Sequence, residues 1–148
     1  MSTLERAIAI AVEAHAGQTD KGGAPYILHP LRVMMRVEGD DVRIAAVLHD
    51  LVEDTEWTLE ALRAEGFDGS VVDAIDGLTR RDGEAYLDFC RRAAANEIAR
   101  AVKLADLEDN LDPARVAALP EANHSLADRY RKARAILLEE PGSSLNED

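Results

Sequence analysis

The spacing of apolar residues is helical along almost the whole chain, and this feature most limits how it folds. Leu4, Ala7, Ile8, Ala11 and Val12 recur at intervals of three and four residues, which places them on one face of a helix. There is no run of alternating apolar and polar residues of the kind that forms strands, and no repeat of about 20–50 residues. The sequence therefore predicts an all-α fold.

Turn and cap residues divide this pattern into about seven to nine helices. The glycine-rich stretch GQTDKGGAP separates a first helix, about residues 2–16, from a second that begins at His29-Pro30. A third helix is expected over about 42–51. Further helices are predicted in LEALRAEG, GSVVDAIDGLTRR, AYLDFCRRAAA, EIARAVKLADLEDN and residues 125–140. Together they form one compact domain over residues 1–140, followed by a polar tail over 141–148.

The composition fits a globular domain that folds without disulfide bonds. Apolar residues make up 47% of the 148 residues, which is enough to form a core, and no apolar stretch reaches the ~20 residues of a membrane span. The N-terminus lacks the apolar segment of a signal peptide, so we expect a cytoplasmic protein that does not contact membranes. Cys90 is the only cysteine, which excludes CxxC zinc sites, and its apolar neighbours predict a buried side chain.

The net charge of −12 argues against a nucleic-acid-binding protein, since such proteins depend on contacts from Lys and Arg to phosphates. An anionic small-molecule substrate would also need cations placed locally around its site, to offset the field of the whole protein. The candidates for this compensating charge are Arg32, Arg36, Lys103, Arg129 and Lys132.

The segment VLHDLVEDT holds an imidazole and three carboxylates within six residues. His49-Asp50 ends an apolar helix, and Glu53-Asp54 follows after two residues. If the helix continues, Glu53 lies one turn beyond His49, and Asp54 lies one turn beyond Asp50. These acids would repel one another without a cation nearby, so the pattern favours a metal or substrate site. The alternative is an acidic first turn that the dipole of a following helix stabilises.

The segment KLADLEDN predicts a second group of polar residues on the long helix. Lys103, Asp106 and Asn110 share one helix face, next to a face of leucines. An aspartate in that position is either a core carboxylate with a fixed partner or a metal ligand, and the segment alone leaves both open. Glu108 and Asp109 lie off this face, and we expect both to be solvated.

The four histidines differ in how strongly the sequence supports a role for each as a metal ligand. His29 alone is more typical of a hydrogen-bonded helix start than of a ligand, His15 suits a helix C-terminus, and His124 in a polar loop has no assigned role. The combined set of candidate metal ligands is His29, His49, Asp50 and Asp106. Two imidazoles and two carboxylates suit Mn²⁺, Fe²⁺ or Zn²⁺ better than Ca²⁺ or Mg²⁺. In an octahedral Mn²⁺ site they would leave two positions, one for a phosphate oxygen and one for water.

The strings AHAGQ, GGAPYILHP, VLHDLVEDT and KLADLEDN, in this order, resemble the HD-domain superfamily. More narrowly, they resemble the hydrolase domain of the RelA/SpoT proteins and the small alarmone hydrolases, from about Leu4 to Tyr130. This resemblance implies an HD-type helical fold. It also implies a Mn²⁺-dependent phosphohydrolase that removes the 3′-pyrophosphate of (p)ppGpp to give GDP or GTP and pyrophosphate. A chain of this length is expected to carry no synthetase segment.

The same resemblance implies roles for individual residues. The Mn²⁺ ligands correspond to His29, His49, Asp50 and Asp106. Glu53 corresponds to the general acid or base, and Asp54 to a residue that orients the water or the metal-bound group. The residues that contact the nucleotide correspond to Lys21, Asn110 and Tyr130. His15 corresponds to a histidine that is not a ligand, and we expect it to be structural.

Two acids depart from the family pattern. Asp20 stands where alarmone hydrolases often carry an arginine near the guanine, and Asp112 where they tend to have a basic residue. An anion near a polyanionic substrate would weaken binding, at a cost on the order of kcal/mol. Two alternatives therefore stay open: an HD phosphohydrolase for another nucleotide, such as (p)ppApp, NADPH or a nucleoside phosphate, and an inactive HD regulatory or binding module. Base preference, native metal and oligomeric state are also left open.

Overall fold

Ten α-helices supply almost all of the regular structure in the computed structural model, which describes residues 2–139. They are α1 (Leu4–Ala14), α2 (Leu28–Met35), α3 (Asp40–Val47), α4 (Leu51–Asp54), α5 (Leu59–Ala64), α6 (Gly69–Gly77), α7 (Tyr86–Ala94), α8 (Glu97–Asn110), α9 (Pro113–Ala118) and α10 (Leu126–Leu138). Nine of them have six residues or more and α4 is a single turn, so the predicted all-α fold is confirmed. The predicted tail over 141–148 lies outside the described residues.

The connections between helices contain little other regular structure. A short 3₁₀ helix, Glu121–Asn123, precedes α10, and within residues 2–139 the only β-type pairing is an isolated bridge between Thr19 and Pro25. That bridge closes the loop between α1 and α2. None of the helices in this described part has the length and hydrophobicity that crossing a membrane requires.

Side-chain hydrogen bonds cap the first turn of three of the helices. Thr3, Thr58 and Asn96 each accept a hydrogen bond from the backbone N–H three residues further on, at the starts of α1, α5 and α8. These caps satisfy N–H groups that have no partner within their own helix. The helix ends are therefore set largely by local chemistry, which is why the sequence predicts them well.

Helix α8 lies at the centre of the fold and packs against α2, α3, α6, α7 and α10. One apolar cluster fills the space between α1, α2, α3, α6 and α8. A second, smaller cluster lies between α7, α8 and α10, and it contains Cys90, Leu107, Ala133 and Leu137. Cys90 is fully buried there, as its apolar neighbours predict. The polar face of α8 is thereby held at a fixed distance from α2 and α3.

The segment that carries His49 and Asp50 corrects one expectation. Helix α3 ends at Val47, and residues 48–50 form a turn before the single-turn helix α4, so the helix predicted over 42–51 is interrupted. The Nδ1 atom of His49 bonds to the carbonyl oxygen of Ala46 at 2.7 Å. In a continuing helix that oxygen would accept the N–H of Asp50 instead. The turn therefore directs His49 and Asp50 differently from an unbroken helix.

A core substitution tests this packing. Ile75 on α6 is fully buried in the larger apolar cluster. Ile75→Ala is expected to lower the free energy of unfolding by about 2–5 kcal/mol because it leaves a cavity, and Ile75→Val by about 0.5–1.5 kcal/mol. Val12→Ala, at an exposed position on α1, is the control, with an expected change within about 0.5 kcal/mol. Urea denaturation measures all three; equal values for Ile75→Ala and Val12→Ala would contradict the assigned core.

Candidate metal centre and substrate cavity

The four candidate metal ligands come together from three separate segments of the chain. His29 lies on α2, His49 and Asp50 on the turn after α3, and Asp106 on α8. One ligand atom from each of His29, His49 and Asp50 lies within 4.8 Å of the other two. Asp106 Oδ1 lies 2.8 Å from His29 Nε2 and 3.3 Å from His49 Nε2. Since α2, α3 and α8 pack against one another, the core holds this cluster in place.

The orientation of His49 fits a metal ligand. Its Nδ1 atom lies 2.7 Å from the carbonyl oxygen of Ala46, an acceptor, so we assign the ring proton to Nδ1. The Nε2 atom is buried and makes no hydrogen bond of good geometry within the described residues, and it lies 3.1 Å from Asp50 Oδ2 and 3.3 Å from Asp106 Oδ1. A buried nitrogen without a partner is costly, and a divalent metal ion would satisfy its lone pair. The cluster of imidazoles and carboxylates therefore fits a divalent metal ion.

Asp106 is held by two residues of its own helix. Lys103 Nζ donates to Asp106 Oδ2 at 2.9 Å, and Asn110 Nδ2 donates to Asp106 Oδ1 at 3.3 Å. Burial alone would raise the pKa of Asp106, but Lys103 and the two histidines outweigh it, and the pKa lies well below its usual value. Asp106 is thus an ionised carboxylate with a fixed partner, and it also belongs to the candidate metal cluster.

Tyr26 is a site residue to which the sequence assigned no role, although it begins the string YILHP. Its hydroxyl donates a hydrogen bond to Asp50 Oδ2. Burial, and then the negative charge of Asp50, raise the pKa of Tyr26 above its usual value, so the hydroxyl keeps its proton and remains a donor. Tyr26 therefore orients the carboxylate of Asp50 within the cluster.

Glu53 and Asp54 lie on α4, and both line the cavity beside the cluster. Loss of water around each carboxylate, and then the charge of Asp50, raise the pKa of both groups. The backbone N–H of Arg80 donates to Glu53 Oε1 and fixes that side chain. A carboxyl group with a raised pKa can hold a proton nearer to neutral pH, which suits an acid or base in hydrolysis.

The cavity has a volume of about 820 Å³ and is rich in cations. The Lys and Arg side chains in its wall are Lys21, Arg32, Arg80, Lys103, Arg115 and Arg129. These positive charges surround the candidate metal cluster in a chain whose net charge is −12. Arg36 and Lys132, which the sequence offered as compensating cations, are not among the lining residues, whereas Arg80 and Arg115 are.

Three of these cations have no acidic partner in the described part of the chain. Arg32, Lys103 and Arg115 pair with aspartates, but between residues 2 and 139 no ion pair involves Lys21, Arg80 or Arg129. Arg129 instead stacks over the ring of Tyr86, 3.7 Å from its centre. These three side chains remain available to bind anionic groups of a ligand. Tyr130 lines the cavity near them.

The acids at positions 20 and 112 place no unbalanced charge in the cavity. Asp20 Oδ1 accepts backbone hydrogen bonds from Gly22 and Ala24, each at 2.9 Å, and Asp20 Oδ2 lies 3.4 Å from Arg115 Nη2. Burial tends to raise the pKa of Asp20, but these bonds and Arg115 lower it overall. Asp112 caps α9 and is not among the lining residues. The geometry therefore does not support the penalty expected for these acids.

The prediction that Asp109 is solvated is wrong. The residue is only 1% exposed, and its carboxylate bonds to His29, Arg32 and Arg115. These partners come from α2 and α9, which the sequence alone does not place beside α8. The neighbouring Glu108 is exposed, as expected.

The remaining histidines take no part in the cluster. His15 is buried, and its Nδ1 bonds to Gln18 Oε1 at 2.8 Å. Gln18 in turn donates to the backbone oxygen of Asp54 at 3.2 Å, so His15 supports the loop next to α4. His124 is exposed, and its ring bonds to the carbonyl oxygen of Leu119. These contacts place both histidines outside the candidate metal cluster, and the Nε2 atom of His15, like that of His49, is buried without a hydrogen-bond partner among the described residues.

Comparison with known proteins identifies the family. The HD domain matches residues 7–136 of the chain. This chain belongs to the HD domain family. It is 35% identical over 150 residues to a probable GTP pyrophosphokinase of Mycobacterium leprae, covering 93% of this chain and 18% of that protein. It is 36% identical over 114 residues to a guanosine-3′,5′-bis(diphosphate) 3′-pyrophosphohydrolase of Vibrio cholerae, covering 74% and 16%. This chain thus spans less than a fifth of the length of each of these two relatives.

A solved structure shows the same fold. It belongs to a metazoan ortholog of SpoT, described as hydrolysing ppGpp, and it matches with a TM-score of 0.75 at 22% sequence identity. The match covers 93% of this chain and 86% of the other. The predicted HD-type helical fold and the resemblance to the RelA/SpoT proteins are confirmed.

The buried Lys103–Asp106 pair gives a stability prediction. Lys103→Met is expected to lower the free energy of unfolding by about 3 kcal/mol, because it leaves the buried Asp106 carboxylate without its ammonium partner. Lys132→Met, on the exposed surface of α10, is the matched control and is expected to change little. Urea denaturation in the presence of EDTA measures both proteins without metal. If the free energy of unfolding of Lys103→Met equals that of the wild type, the two histidines compensate the charge of Asp106 without Lys103.

Proposed function

We propose that this HD domain is a metal-dependent phosphohydrolase that removes the 3′-pyrophosphate of (p)ppGpp, giving GDP or GTP and pyrophosphate. The observation that carries the proposal is the cluster of two imidazoles and two carboxylates beside a cavity lined by six cations. A polyanionic nucleotide suits such a cavity, and the cluster suits a divalent transition metal. The names of the relatives in Vibrio cholerae and Mycobacterium leprae point to guanosine polyphosphates.

Hydrolysis suits this site better than pyrophosphate transfer to GTP, although the relatives carry names of both kinds. The matched segment is an HD domain, and its candidate ligands lie next to two carboxyl groups with raised pKa values, Glu53 and Asp54. A metal cluster beside an acid or base is the arrangement that activates water. Because the chain covers a small part of each relative, the activity of the whole relatives is not transferred to it.

His29, His49, Asp50 and Asp106 would hold the ion, and we propose Mn²⁺ as that ion. When bound, a divalent ion supplies Lewis-acid polarisation of a phosphoryl oxygen and makes a water easier to deprotonate. Tyr26 keeps Asp50 in place, and Lys103 keeps Asp106 ionised and oriented. These residues prepare the four donors so that little rearrangement accompanies binding.

The remaining residues would handle the proton and the nucleotide. In the proposed reaction, water attacks the phosphorus atom that is bonded to the 3′ oxygen. The bond between that phosphorus and the 3′ oxygen then breaks. Glu53 takes one proton from the attacking water as its oxygen bonds to phosphorus, and passes that proton to the departing 3′ oxygen, while Asp54 orients the water. Lys21, Arg80 and Arg129 bind phosphate groups, since none of the three has an acidic partner within residues 2–139.

Two residues complete the proposed nucleotide contacts. Tyr130 lines the cavity beside Arg129 and offers a ring and a hydroxyl to the nucleotide. Asn110 lines it as well, but its Nδ2 bonds to Asp106 and its Oδ1 accepts from Arg115 at 2.7 Å. Its first role is therefore to orient Asp106, and a nucleotide contact from Asn110 would have to replace one of these bonds.

The alternatives left open by the sequence lose part of their support. The guanine-disfavouring charge expected at Asp20 is balanced by Arg115, and Asp112 caps a helix outside the cavity wall. An inactive module would be expected to have lost a ligand, yet all four candidates are present and adjacent. Other nucleotides are therefore tested as alternative substrates in the decisive assay, and no second function is proposed.

The decisive assay is pyrophosphate release from ppGpp by the purified chain with added Mn²⁺. Reactions with ppApp and NADPH run beside it, and phosphate release is followed for NADPH. Rapid release from ppGpp that EDTA abolishes is the expected result. Turnover of ppApp or NADPH without turnover of ppGpp would overturn the substrate and leave the metal site standing. No turnover of any nucleotide at saturating Mn²⁺ would favour the inactive module.

Removing one ligand should abolish metal binding and hydrolysis together. Asp106→Ala is expected to lose bound metal and hydrolysis together, because Asp106 Oδ1 lies beside both histidine Nε2 atoms. Metal content after dialysis against Mn²⁺ and initial hydrolysis rates are the measurements. Glu108→Ala, an exposed acid on the same helix, is the control and should behave as the wild type. Full activity of Asp106→Ala would remove that residue from the site.

The acid–base role of Glu53 has a different signature. Glu53→Gln is expected to keep metal content unchanged while kcat falls about 100-fold or more, since the amide cannot exchange a proton with water. Glu56→Gln, an exposed acid nearby, is the matched control. An unchanged kcat for Glu53→Gln would contradict the assigned role, and loss of metal would instead make Glu53 a ligand.

A further inference from the structure

His29 lies between two carboxylates that are one turn apart on α8. Its Nε2 atom lies 2.8 Å from Asp106 Oδ1, and its Nδ1 atom lies 2.6 Å from Asp109 Oδ2. Both aspartates are buried, with 5% and 1% exposure. One side of the imidazole therefore faces the candidate metal cluster, and the other faces a carboxylate outside it.

We infer that Asp109 is the positioning residue of His29: it holds the Nδ1 proton and keeps Nε2 directed at the metal centre. This inference rests on the proposed metal site. A metal-ligating histidine commonly donates its other N–H to a carboxylate, which fixes the ring and makes the ligating nitrogen more basic. The residue is outside the set of predicted ligands and acts through His29 alone.

The position of the ring proton follows from the partners of Nδ1. Asp109 Oδ2 only accepts hydrogen bonds when ionised, so at 2.6 Å it requires a proton on Nδ1. Arg115 Nη1 also lies 3.0 Å from Nδ1, but it has two acceptors for its two protons. These acceptors are Asp109 Oδ2 at 3.0 Å and Asn110 Oδ1 at 2.7 Å. We therefore assign a proton to Nδ1. By the same argument Nε2 donates its own proton to Asp106 Oδ1 at 2.8 Å, and a bound metal ion would replace only that Nε2 proton.

Two arginines keep Asp109 in the ionised form and in one orientation. Arg32 Nε donates to Asp109 Oδ1 at 2.9 Å, and Arg32 Nη2 donates to Asp109 Oδ2 at 3.2 Å. Arg115 adds a third bond from α9, and its other nitrogen reaches Asp20 on the loop before α2. A buried carboxylate with this many charged donors has few orientations open to it. It is thus a rigid acceptor for the histidine.

Each of the two histidines of the cluster bonds through its Nδ1 atom to an oxygen acceptor, but the two acceptors differ in strength. His49 Nδ1 bonds to the backbone oxygen of Ala46 at 2.7 Å, whereas His29 Nδ1 bonds to a charged carboxylate at 2.6 Å. A charged acceptor forms the stronger hydrogen bond. Loss of Asp109 should therefore weaken metal binding through His29 and leave the backbone-held His49 unchanged.

The test measures metal affinity, with no nucleotide present. Metal-free wild type, Asp109→Asn, Asp109→Ala and Glu108→Gln are titrated with MnCl₂ by calorimetry, and their melting temperatures are recorded in EDTA. Asp109→Asn keeps the shape of the side chain but removes its charge. Glu108→Gln removes a neighbouring exposed charge from the same helix and is the control. Visible absorption after Co²⁺ addition reports whether the ligand geometry changes.

The expected result is a Kd for Mn²⁺ that rises about 10–100-fold in both Asp109 variants and stays unchanged in Glu108→Gln. The Co²⁺ spectrum should change in the Asp109 variants as well. If Asp109→Ala does not fold, Asp109→Asn decides the matter. Wild-type affinity and spectrum in a folded Asp109→Asn would overturn the positioning role while the metal site stands. Absence of Mn²⁺ and Co²⁺ binding by the wild type would overturn the proposed metal site, and the inference with it.

Discussion

The buried charge of Asp106 is the interaction on which the rest of the site depends. Asp106 is 5% exposed, and an unpaired charge there would be costly. Lys103 compensates that charge from the same helix, and the Nε2 atoms of His29 and His49 lie 2.8 and 3.3 Å from it. Since these partners come from segments far apart in the chain, compensating one charge ties α2 and the turn after α3 to α8. Fold and site therefore share the same contacts.

A second level of charge pairing surrounds the first. Asp109, one turn along α8, is balanced by Arg32 and Arg115, and Asp20 is balanced by Arg115. Every buried acid in this region thus has a cation or a histidine beside it. The cavity wall keeps further cations, Lys21 among them, that no acid in the described part of the chain neutralises. A strongly acidic protein can in this way place cations without acidic partners around a site for an anionic nucleotide.

The fold was largely predictable because its helices begin and end through local chemistry. Caps such as Thr3 and Asn96 act on residues three positions away, and apolar spacing identifies the buried faces. The exception is the turn at His49. There a side chain bonds to a backbone oxygen that a continuing helix would use, and the apolar pattern of the segment carries no sign of that competition.

The sequence by itself predicted an all-α fold and a buried Cys90 from the spacing of its apolar residues, and its resemblance to the HD superfamily implied the four candidate ligands. Only the tertiary structure decided how Asp109, Tyr26 and Arg115 take part. Asp109 bonds to His29, 80 residues away along the chain, and Tyr26 bonds to Asp50, 24 residues away. Arg115 bonds to Asp20, 95 residues away. Helix packing creates those contacts, and no periodicity within one segment encodes which distant charge will lie opposite a given side chain.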